Sequence, residues 1–462
     1  MTNNHNDIKK LIETKKHDFS AKINSIKHQL NEINTYEIYG HLISAIGTSV
    51  EAYLPGAKIG DLCKIEDPHT KEGIYAEVLS LNNHKVKLLP FGNITDISQD
   101  CVIKKMGDKF QIRVGDFLLG KVVNGFGDII DTIDPNLPEM YNELDFKLSS
   151  IYSPAPDPQT RPLISTILKT GVKSIDLLNT CGQGQRVGIF AGPGMGKTTL
   201  MGMIIRNAEV DVVVVGLVGE RGREVREFIE IELGTEVANK CILVVATSDK
   251  SSVEQLKCAY VAQTIAEYFR DQGKNVLLFL DSVTRFARAG REVGLSAGES
   301  PARGGYPSSV FLSFPKLMER AGNSITGSIS AFYTILMEGE NISDDVIADE
   351  IKSILDGHII LSKKLVERGQ FPAIDNLKSL SRVADRIINK KHLDGARKIR
   401  LLLSQYEELE FLIRVGEYQK GINNLADEAV DKNEEIQHLL KQNTRENVEF
   451  NYSLSDMLRI AG

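Results

Sequence analysis

The sequence predicts an α/β protein in which a mostly parallel sheet carries a phosphate-binding loop, with a small β-barrel before the sheet and helices after it. Three observations support this prediction. A glycine-rich loop stands between an apolar run and a helix-compatible stretch within residues 187–206. From Arg186 onward, near-continuous apolar runs alternate with helical patterns, which is typical of a parallel sheet covered on both faces. Before this region the runs are short and β-rich, and after it the periodicity is helical.

The loop at residues 191–200 reads AGPGMGKTTL, which has the spacing of a P-loop, although the strict pattern begins with Gly and this chain has Ala191. Its glycines lack a Cβ, so the backbone can turn its N–H groups toward an anion. Lys197 can then reach the β- and γ-phosphates of a nucleoside triphosphate, and the Thr198 hydroxyl can ligate Mg²⁺. The alternative is a glycine-rich turn without a ligand. The residues predicted to bind the nucleotide are Gly192, Pro193, Gly194, Met195, Gly196, Lys197, Thr198 and Thr199.

Length and composition narrow the class of protein. The chain has 462 residues, enough for two to four domains, and its net charge of −7 argues against non-specific nucleic-acid binding by the whole molecule. Its five cysteines are widely spaced without a CxxC pair, which favours reduced thiols in a cytosolic protein over a disulfide framework or a zinc site. No apolar run approaches about twenty residues and the N-terminus has no apolar signal region, so we expect neither a membrane span nor a secretory signal.

Changes in composition and hydrophobic periodicity divide the chain into four parts. Residues 1–35 carry Ile and Leu at helical spacing with lysines between them, which predicts an amphipathic segment that docks on an anionic membrane or a partner, or packs on its own protein. Residues 36–100 hold short β-rich runs separated by turn residues, as in a β-barrel domain. Residues 101–375 lead into the nucleotide-binding sheet, and residues 376–462 form a helical domain. We expect Leu401–Leu403, Leu409, Leu412 and Ile413 to form the core of that domain rather than a coiled-coil seam.

Two carboxylates follow predicted strands and so fall at the same edge of the sheet as the P-loop. Asp281 ends the run VLLFLD, the arrangement in which an aspartate orients Mg²⁺. Glu220 opens GERGREV and is placed to orient a water in line with the γ-phosphate, with Arg221 or Arg223 holding the glutamate or a phosphate. The alternative for Glu220 is an ordinary helix N-terminus, where the dipole favours a carboxylate.

Four stretches together resemble the type III protein-secretion ATPases: AGPGMGKTTL, GERGREV, LLFLDSVTRFARAGREVGL and ESPARGGYPSSVF. This family is related to the catalytic subunits of rotary ATP synthases and to the flagellar export ATPase. The resemblance extends from about residue 36 to 450 and is densest over Arg186–Pro372. The stretch AEYFRDQGKNVLLFLDSVTRFAR resembles the virulence-type branch more than the flagellar branch. The sequence departs from the family pattern at Ser300, where a second proline is often found.

The resemblance implies an α/β fold with a RecA-like P-loop ATPase core, an N-terminal small β-barrel and a C-terminal helical domain. It also implies a homohexamer with ATP and Mg²⁺ between subunits. By motif, Lys197 and Thr198 would bind the phosphates and the metal, Glu220 would activate water, and Asp281 would be the second metal-binding residue.

Two further site residues follow from the resemblance alone. Arg382, in the segment SLSRV, would be an arginine finger that acts in trans on a neighbouring subunit. Phe371, in QFPAID, would place its ring against adenine. Without the resemblance, Arg382 reads as an ordinary surface arginine and Phe371 as a core residue.

The implied function is a cytoplasmic ATPase at the inner face of the bacterial inner membrane that powers type III secretion. It would release chaperones from export substrates and unfold those substrates at an export gate. The expected partners are a central stalk protein, a peripheral stator-like regulator, chaperone–substrate complexes and the export gate, without nucleic acid. A flagellar export ATPase, a catalytic subunit of a rotary proton-translocating ATPase and a Rho-type RNA translocase stay open as alternatives. A pure scaffold would leave Lys197, Glu220 and Asp281 unexplained.

Overall fold

The structure is a computed structural model, and it describes residues 39–462 except for 47–48, 83–84, 93, 95–96, 108, 137–141, 143, 338 and 340. The predicted amphipathic segment at residues 1–35 lies outside the described residues. Among the helices that the structure describes, none combines the length and the apolarity that crossing a membrane requires.

Antiparallel strands at the start of the described chain form a closed barrel with the order β1-β2-β5-β4-β3-β6. These strands are β1 (Tyr39–Ile46), β2 (Ser49–Tyr53), β3 (Leu62–Glu66), β4 (Gly73–Asn82), β5 (Lys85–Pro90) and β6 (Val102–Gly107). Val50, Ile65, Leu88 and Ile103 fill its interior. The barrel extends past residue 100, where we expected it to end, because β6 pairs with both β1 and β3 and so closes the ring of hydrogen bonds.

The stretch 111–123, which reads as one strand, is interrupted in the structure. Phe117 and Leu118 are buried in a short 3₁₀ turn, and Gly120 has a φ of 78°, so the chain changes direction there. The strands of this connecting region are β7 (Gln111–Val114), β8 (Lys121–Asn124), β9 (Ile129–Thr132), β10 (Lys147–Ser150), β11 (Ile167–Leu168) and β12 (Cys181–Gly182). β7 pairs with β10, whereas β8 and β9 join the edge of the main sheet.

The central sheet confirms the predicted α/β core. Its order is β20-β19-β13-β18-β16-β14-β15-β8-β9, and the strands from β19 to β8 are parallel. The remaining strands are β13 (Arg186–Ala191), β14 (Val212–Val218), β15 (Cys241–Ala246), β16 (Asn275–Asp281), β17 (Gly322–Asn323), β18 (Ser328–Leu336), β19 (Gly357–Ile360) and β20 (Leu380–Ser381). Alternate residues of β14 enter different apolar clusters, Val214 on one face and Val213 on the other, which shows that both faces are covered.

Helices accompany the sheet on both faces. They are α1 (Lys173–Leu178), α2 (Lys197–Asn207), α3 (Gly222–Glu227), α4 (Ser252–Asp271), α5 (Val283–Ala297), α6 (Ser308–Met318), α7 (Val346–Ile354), α8 (Lys363–Glu367) and α9 (Ala384–Ile387). Helix α3 continues into a π-helical turn over Phe228–Leu233.

The C-terminal part is helical, as predicted. It consists of α10 (Lys390–Val415), α11 (Asn424–Leu440) and α12 (Phe450–Ala461), whose core includes Ile399, Leu402 and Met457. Our prediction for the leucines of residues 401–413 is wrong in part, because Leu401 and Leu412 are exposed. Helix α10 has 26 residues, about 39 Å, and its buried positions end at Leu402, so its last turns carry apolar side chains on the surface.

Candidate active site

Three parallel strands deliver the predicted catalytic segments to one edge of the sheet. β13 ends at Ala191 and leads into the P-loop, β14 leads into Glu220, and β16 ends at Asp281. Gly194 and Gly196 have φ values of 73° and 83°, so glycine is needed at both positions of the loop. The departure at Ala191 is harmless, because this residue is still in the strand and keeps an extended backbone.

The Lys197 ammonium joins the two carboxylates. Lys197 Nζ donates a hydrogen bond to Asp281 Oδ1 and lies 3.7 Å from Glu220 Oε1. The Thr334 hydroxyl, from the neighbouring strand β18, donates to Asp281 Oδ1 at 2.6 Å and so fixes that carboxylate. Sequence reasoning missed Thr334, although a polar residue inside the apolar strand SISAFYTIL is a usable signal. The structure therefore brings together Lys197, Glu220 and Asp281 as predicted from three separate motifs.

Arg285 holds Glu220, and not Arg221 or Arg223. Arg285 Nη1 lies 3.1 Å from Glu220 Oε2 and also donates to the Gly219 carbonyl. Arg221 and Arg223 point to solvent, with 78% and 85% of their side chains exposed, and they pair along α3 with glutamates of the next turn. Arg285 was available from sequence, because it lies in the first turn of the helix that follows Asp281.

The environment of Glu220 favours its protonated form. Burial, the nearby charge of Asp281 and a hydrogen bond with Glu224 raise the pKa of Glu220 to about 7, against the opposing effect of Lys197 and Arg285. The same hydrogen bond lowers the pKa of Glu224. A glutamate tuned to neutral pH beside a phosphate-binding lysine fits a group that handles a water molecule during hydrolysis.

A cavity of about 230 Å³ opens in front of these residues. Thr198, Glu220, Glu232 and Asp281 all line it. The Thr198 hydroxyl and the Asp281 carboxylate are hard oxygen donors of the kind that Mg²⁺ prefers. Residues of the described chain form no cluster of three or more His, Cys, Asp or Glu side chains that could hold a metal.

The remaining two predicted site residues lie away from this cluster. Phe371 is 46% exposed, so it is not a core residue, and its carbonyl accepts a hydrogen bond from the Gln442 amide. Arg382 is exposed, and its guanidinium forms no ion pair with the residues that the structure describes.

Arg382 lies far from the phosphate-binding edge. It follows β20, which runs antiparallel to β19, and its amide donates to Asp356 just before β19 begins. The P-loop instead follows the end of β13. β20 and β16 are also four positions apart in the sheet, about 19 Å at the usual strand spacing of about 4.8 Å. An arginine side chain does not span that distance, so Arg382 does not reach the phosphate site of its own chain.

Family models match three segments of the chain. Residues 171–381 match the nucleotide-binding domain of the ATP synthase alpha/beta family, and residues 42–107 match its β-barrel domain. Residues 388–459 match the C-terminal domain of the type III secretion ATPase EscN. The chain is 43% identical over 445 residues to the type 3 secretion system ATPase of Sinorhizobium fredii, and the match covers 95% of both chains. The chain belongs to the type III secretion ATPase family.

Two further relatives of this type III secretion ATPase also match nearly the whole chain. The flagellum-specific ATP synthase of Bacillus subtilis is 43% identical over 442 residues, with coverage of 96% of this chain and 99% of that protein. The solved structure of the assembled ATPase EscN from the enteropathogenic E. coli type III secretion system superposes with a TM-score of 0.85 and 44% identity, covering 92% of this chain and all of that one. The protein is therefore a P-loop ATPase of type III secretion with a RecA-like core.

Proposed function

We propose that this ATPase hydrolyses ATP at the interfaces of a ring of identical subunits, and that the hydrolysis drives type III protein export. The observation that carries the proposal is the separation of Arg382 from Lys197, Glu220 and Asp281. Each chain has the phosphate-binding half of a site at the carboxyl ends of its parallel strands. Beyond the opposite end of β19 it has an exposed arginine that forms no ion pair within the part of the chain that the structure describes. Two copies arranged head to tail would complete one site, and repetition of that contact closes a ring.

The catalytic roles follow from the contacts. The P-loop amides and Lys197 would bind the phosphates, and Thr198 and Asp281 would hold Mg²⁺, whose charge would neutralise the phosphate oxygens. Glu220, held by Arg285, accepts a hydrogen bond from the attacking water and aligns it with the γ-phosphate. Arg382 of a neighbouring copy stabilises the charge that develops in the transition state.

Phe371 is proposed as the residue that stacks on adenine. This residue is 46% exposed, and an exposed aromatic ring can stack on the flat face of a base. The cis peptide bond between Phe371 and Pro372 is part of the same segment.

The assembly is proposed from the relatives. EscN has been solved as an assembled ATPase and in complex with its central stalk EscO, at TM-scores of 0.85 and 0.83. We therefore assign this chain to a homohexamer with a central stalk protein. A peripheral stator-like regulator, chaperone–substrate complexes and an export gate are the further proposed partners, at the cytoplasmic face of the inner membrane.

Steady-state ATPase activity against protein concentration tests the proposal. Specific activity rises with concentration as subunits associate, and Arg382→Ala lowers the maximal rate by about 10³-fold, the usual effect of removing an arginine finger. Arg386→Ala is the matched control, because Arg386 is another exposed arginine four residues later. A specific activity that does not change with concentration, together with full activity of Arg382→Ala, would contradict the trans site.

A further inference from the structure

The π-helical turn Phe228–Leu233 faces the helix that carries the phosphate-binding residues. It continues α3, which begins two residues after Glu220. A π turn adds a residue to the helical repeat and so rotates the side chains that follow, and such turns are frequent at functional sites. Here the rotation places Glu232 against α2, the helix whose first turn contains Lys197 and Thr198.

Glu232 contacts both ends of α2. Near the beginning of the helix, the Thr199 hydroxyl donates to Glu232 Oε1 at 3.1 Å. Near its end, Arg206 Nη1 lies 3.7 Å from Glu232 Oε2 and donates to the Glu232 carbonyl. The side chains of Arg206 and Glu232 are only 5% and 19% exposed. Both members of the pair are therefore largely shielded from water, so removal of one leaves the other charge without its partner.

Gly202 makes room for this pair. A Cβ at Gly202 would lie 2.7 Å from Glu232 Oε2, 2.9 Å from Arg206 Nη1 and 3.0 Å from Glu232 Cβ. Glycine in a helix interior costs about 1 kcal/mol relative to alanine. Gly202 therefore weakens α2 as a helix but allows Glu232 and Arg206 to pack directly against it.

The C-terminal part of the chain braces the same junction. Arg206 Nη2 donates to the Thr444 carbonyl at 2.6 Å, and the Arg445 guanidinium donates to the Ile231 carbonyl within the π turn. The segment after α11 therefore contacts both α2 and the π turn, and it limits the movement of one relative to the other.

We propose that Glu232 and Arg206 are positioning residues that fix the helix of Lys197 and Thr198 relative to α3, the helix that begins two residues after Glu220. They thereby set the distance between the bound phosphates and the attacking water. This inference rests on the proposed role of Glu220. Because alignment of the water counts in the transition state and little in nucleotide binding, losing the pair lowers kcat and leaves KM nearly unchanged.

Substitutions at Glu232 test this prediction. Glu232→Ala lowers kcat by about 10- to 100-fold with KM within about threefold of wild type. Glu232→Gln keeps an acceptor for the Thr199 hydroxyl and recovers most of the rate. Glu230→Ala is the matched control, because Glu230 lies on the same turn but pairs with the exposed Arg226. An unchanged kcat in Glu232→Ala, or a loss confined to KM, would overturn the proposal.

Gly202→Ala tests the same geometry without removing either member of the pair. The added methyl group raises the helix propensity of α2 and displaces Glu232 and Arg206. We expect kcat to fall, and hydrogen exchange to accelerate in peptides that cover residues 228–233. Normal kcat and unchanged exchange in this variant would contradict a positioning role.

Repeating the Glu232 substitution in the Glu220→Gln variant distinguishes the positioning role of Glu232 from the proposed role of Glu220 itself. In Glu220→Gln protein, adding Glu232→Ala costs no further rate, because the group that it positions is already gone. If Glu220→Gln alone were fully active, the proposed role of Glu220 would fail, whereas full activity of Glu232→Ala alone would reject only the positioning pair. A further loss in the double variant would show that Glu232 acts without Glu220, and would overturn the mechanism proposed for the pair.

Discussion

Glu220 and Asp281 are two carboxylates that share the ammonium of Lys197 at one edge of the sheet. Asp281 has the closer contact and also accepts from Thr334, whereas Glu220 lies 3.7 Å from Lys197 Nζ. The charge of Asp281 and burial both disfavour the ionised form of Glu220. The site thus keeps Glu220 at a pKa suited to proton exchange, and this arrangement costs stability.

The pH dependence of stability measures that cost. The pKa of Glu220 is raised from 4.5 to about 7 in the folded protein. The contribution of Glu220 to the free energy of unfolding is therefore complete below pH 4.5 and is lost as the pH rises through 7. Glu220→Gln cannot ionise. The difference in free energy of unfolding between this variant and wild type, measured by urea titration without nucleotide, should therefore grow by up to about 3 kcal/mol in favour of the variant between pH 4.5 and 8. Glu230→Gln, at an exposed site, should show little such growth. A difference for Glu220→Gln that stays constant with pH would argue against the raised pKa.

Phe371 can be tested directly because the chain contains no tryptophan. In Phe371→Trp the new indole is the only tryptophan, and stacking on adenine should quench its fluorescence when ATP or ADP is added. Phe411→Trp is the control, because Phe411 is 70% exposed on α10, in the part of that helix with no buried residues. A response of equal size in both variants, or none in Phe371→Trp, would reject the stacking role.

At the scale of secondary-structure elements, local sequence patterns predicted the strands of the central sheet. They failed where contacts between distant parts of the chain determine the structure. The strands β13, β14 and β16 are apolar throughout and end in motif residues, so their position and their shared edge follow from sequence. The sixth barrel strand is short and contains two consecutive lysines, so the sequence does not mark it as a barrel strand. Its place in the barrel follows only from its pairing with β1 and β3. Periodicity along α10 shows which residues share a face, but not where the supporting helices end.

The same distinction explains the site. Sequence motifs with a defined spacing contain three of the site residues, Lys197, Glu220 and Asp281, so these could be predicted from sequence. Arg285 and Glu232 act through contacts between separate elements, which spacing along the chain does not reveal.

The contact between the barrel and the ATPase core combines an apolar cluster that includes Leu89 and Val293 with one buried lysine. Lys257 of α4, with 2% of its side chain exposed, contacts Glu77 of β4 and donates to the Tyr152 hydroxyl at 2.9 Å. The rings of Phe91 and Phe110 lie 4.7 Å and 5.2 Å from its ammonium. An ion pair surrounded by aromatic rings therefore adds to the apolar contact between the barrel and the core.

Removing that ammonium should loosen the barrel. Lys257→Met leaves Glu77 buried without its cation and should lower the free energy of unfolding by about 3–5 kcal/mol in urea titration. The double variant Lys257→Met/Glu77→Gln should recover most of the loss. The control is Lys363→Met, which removes one member of an exposed pair and should change stability by less than about 1 kcal/mol. Equal stability of Lys257→Met and wild type would show that this ion pair does not stabilise the contact.

At the scale of the whole molecule, the proposed site residues fall into two groups that lie apart in the chain. Lys197, Glu220 and Asp281 lie at the carboxyl ends of the parallel strands, and Arg382 lies beyond the opposite end of β19. In the ring that we propose, a head-to-tail contact between identical chains supplies both halves at every interface, and hydrolysis is then a property of the assembly.

The most direct test mixes two inactive variants. Glu220→Gln and Arg382→Ala subunits are combined in equal amounts before they assemble, and steady-state ATPase activity is compared with that of each variant alone. Interfaces that pair Arg382 of one chain with Glu220 of the other are intact, and random assembly makes about a quarter of the interfaces of this kind. We predict that the mixture recovers about a quarter of the wild-type ATPase activity, in proportion to the intact interfaces. Activity no greater than the average of the two separate variants would contradict a site shared between subunits.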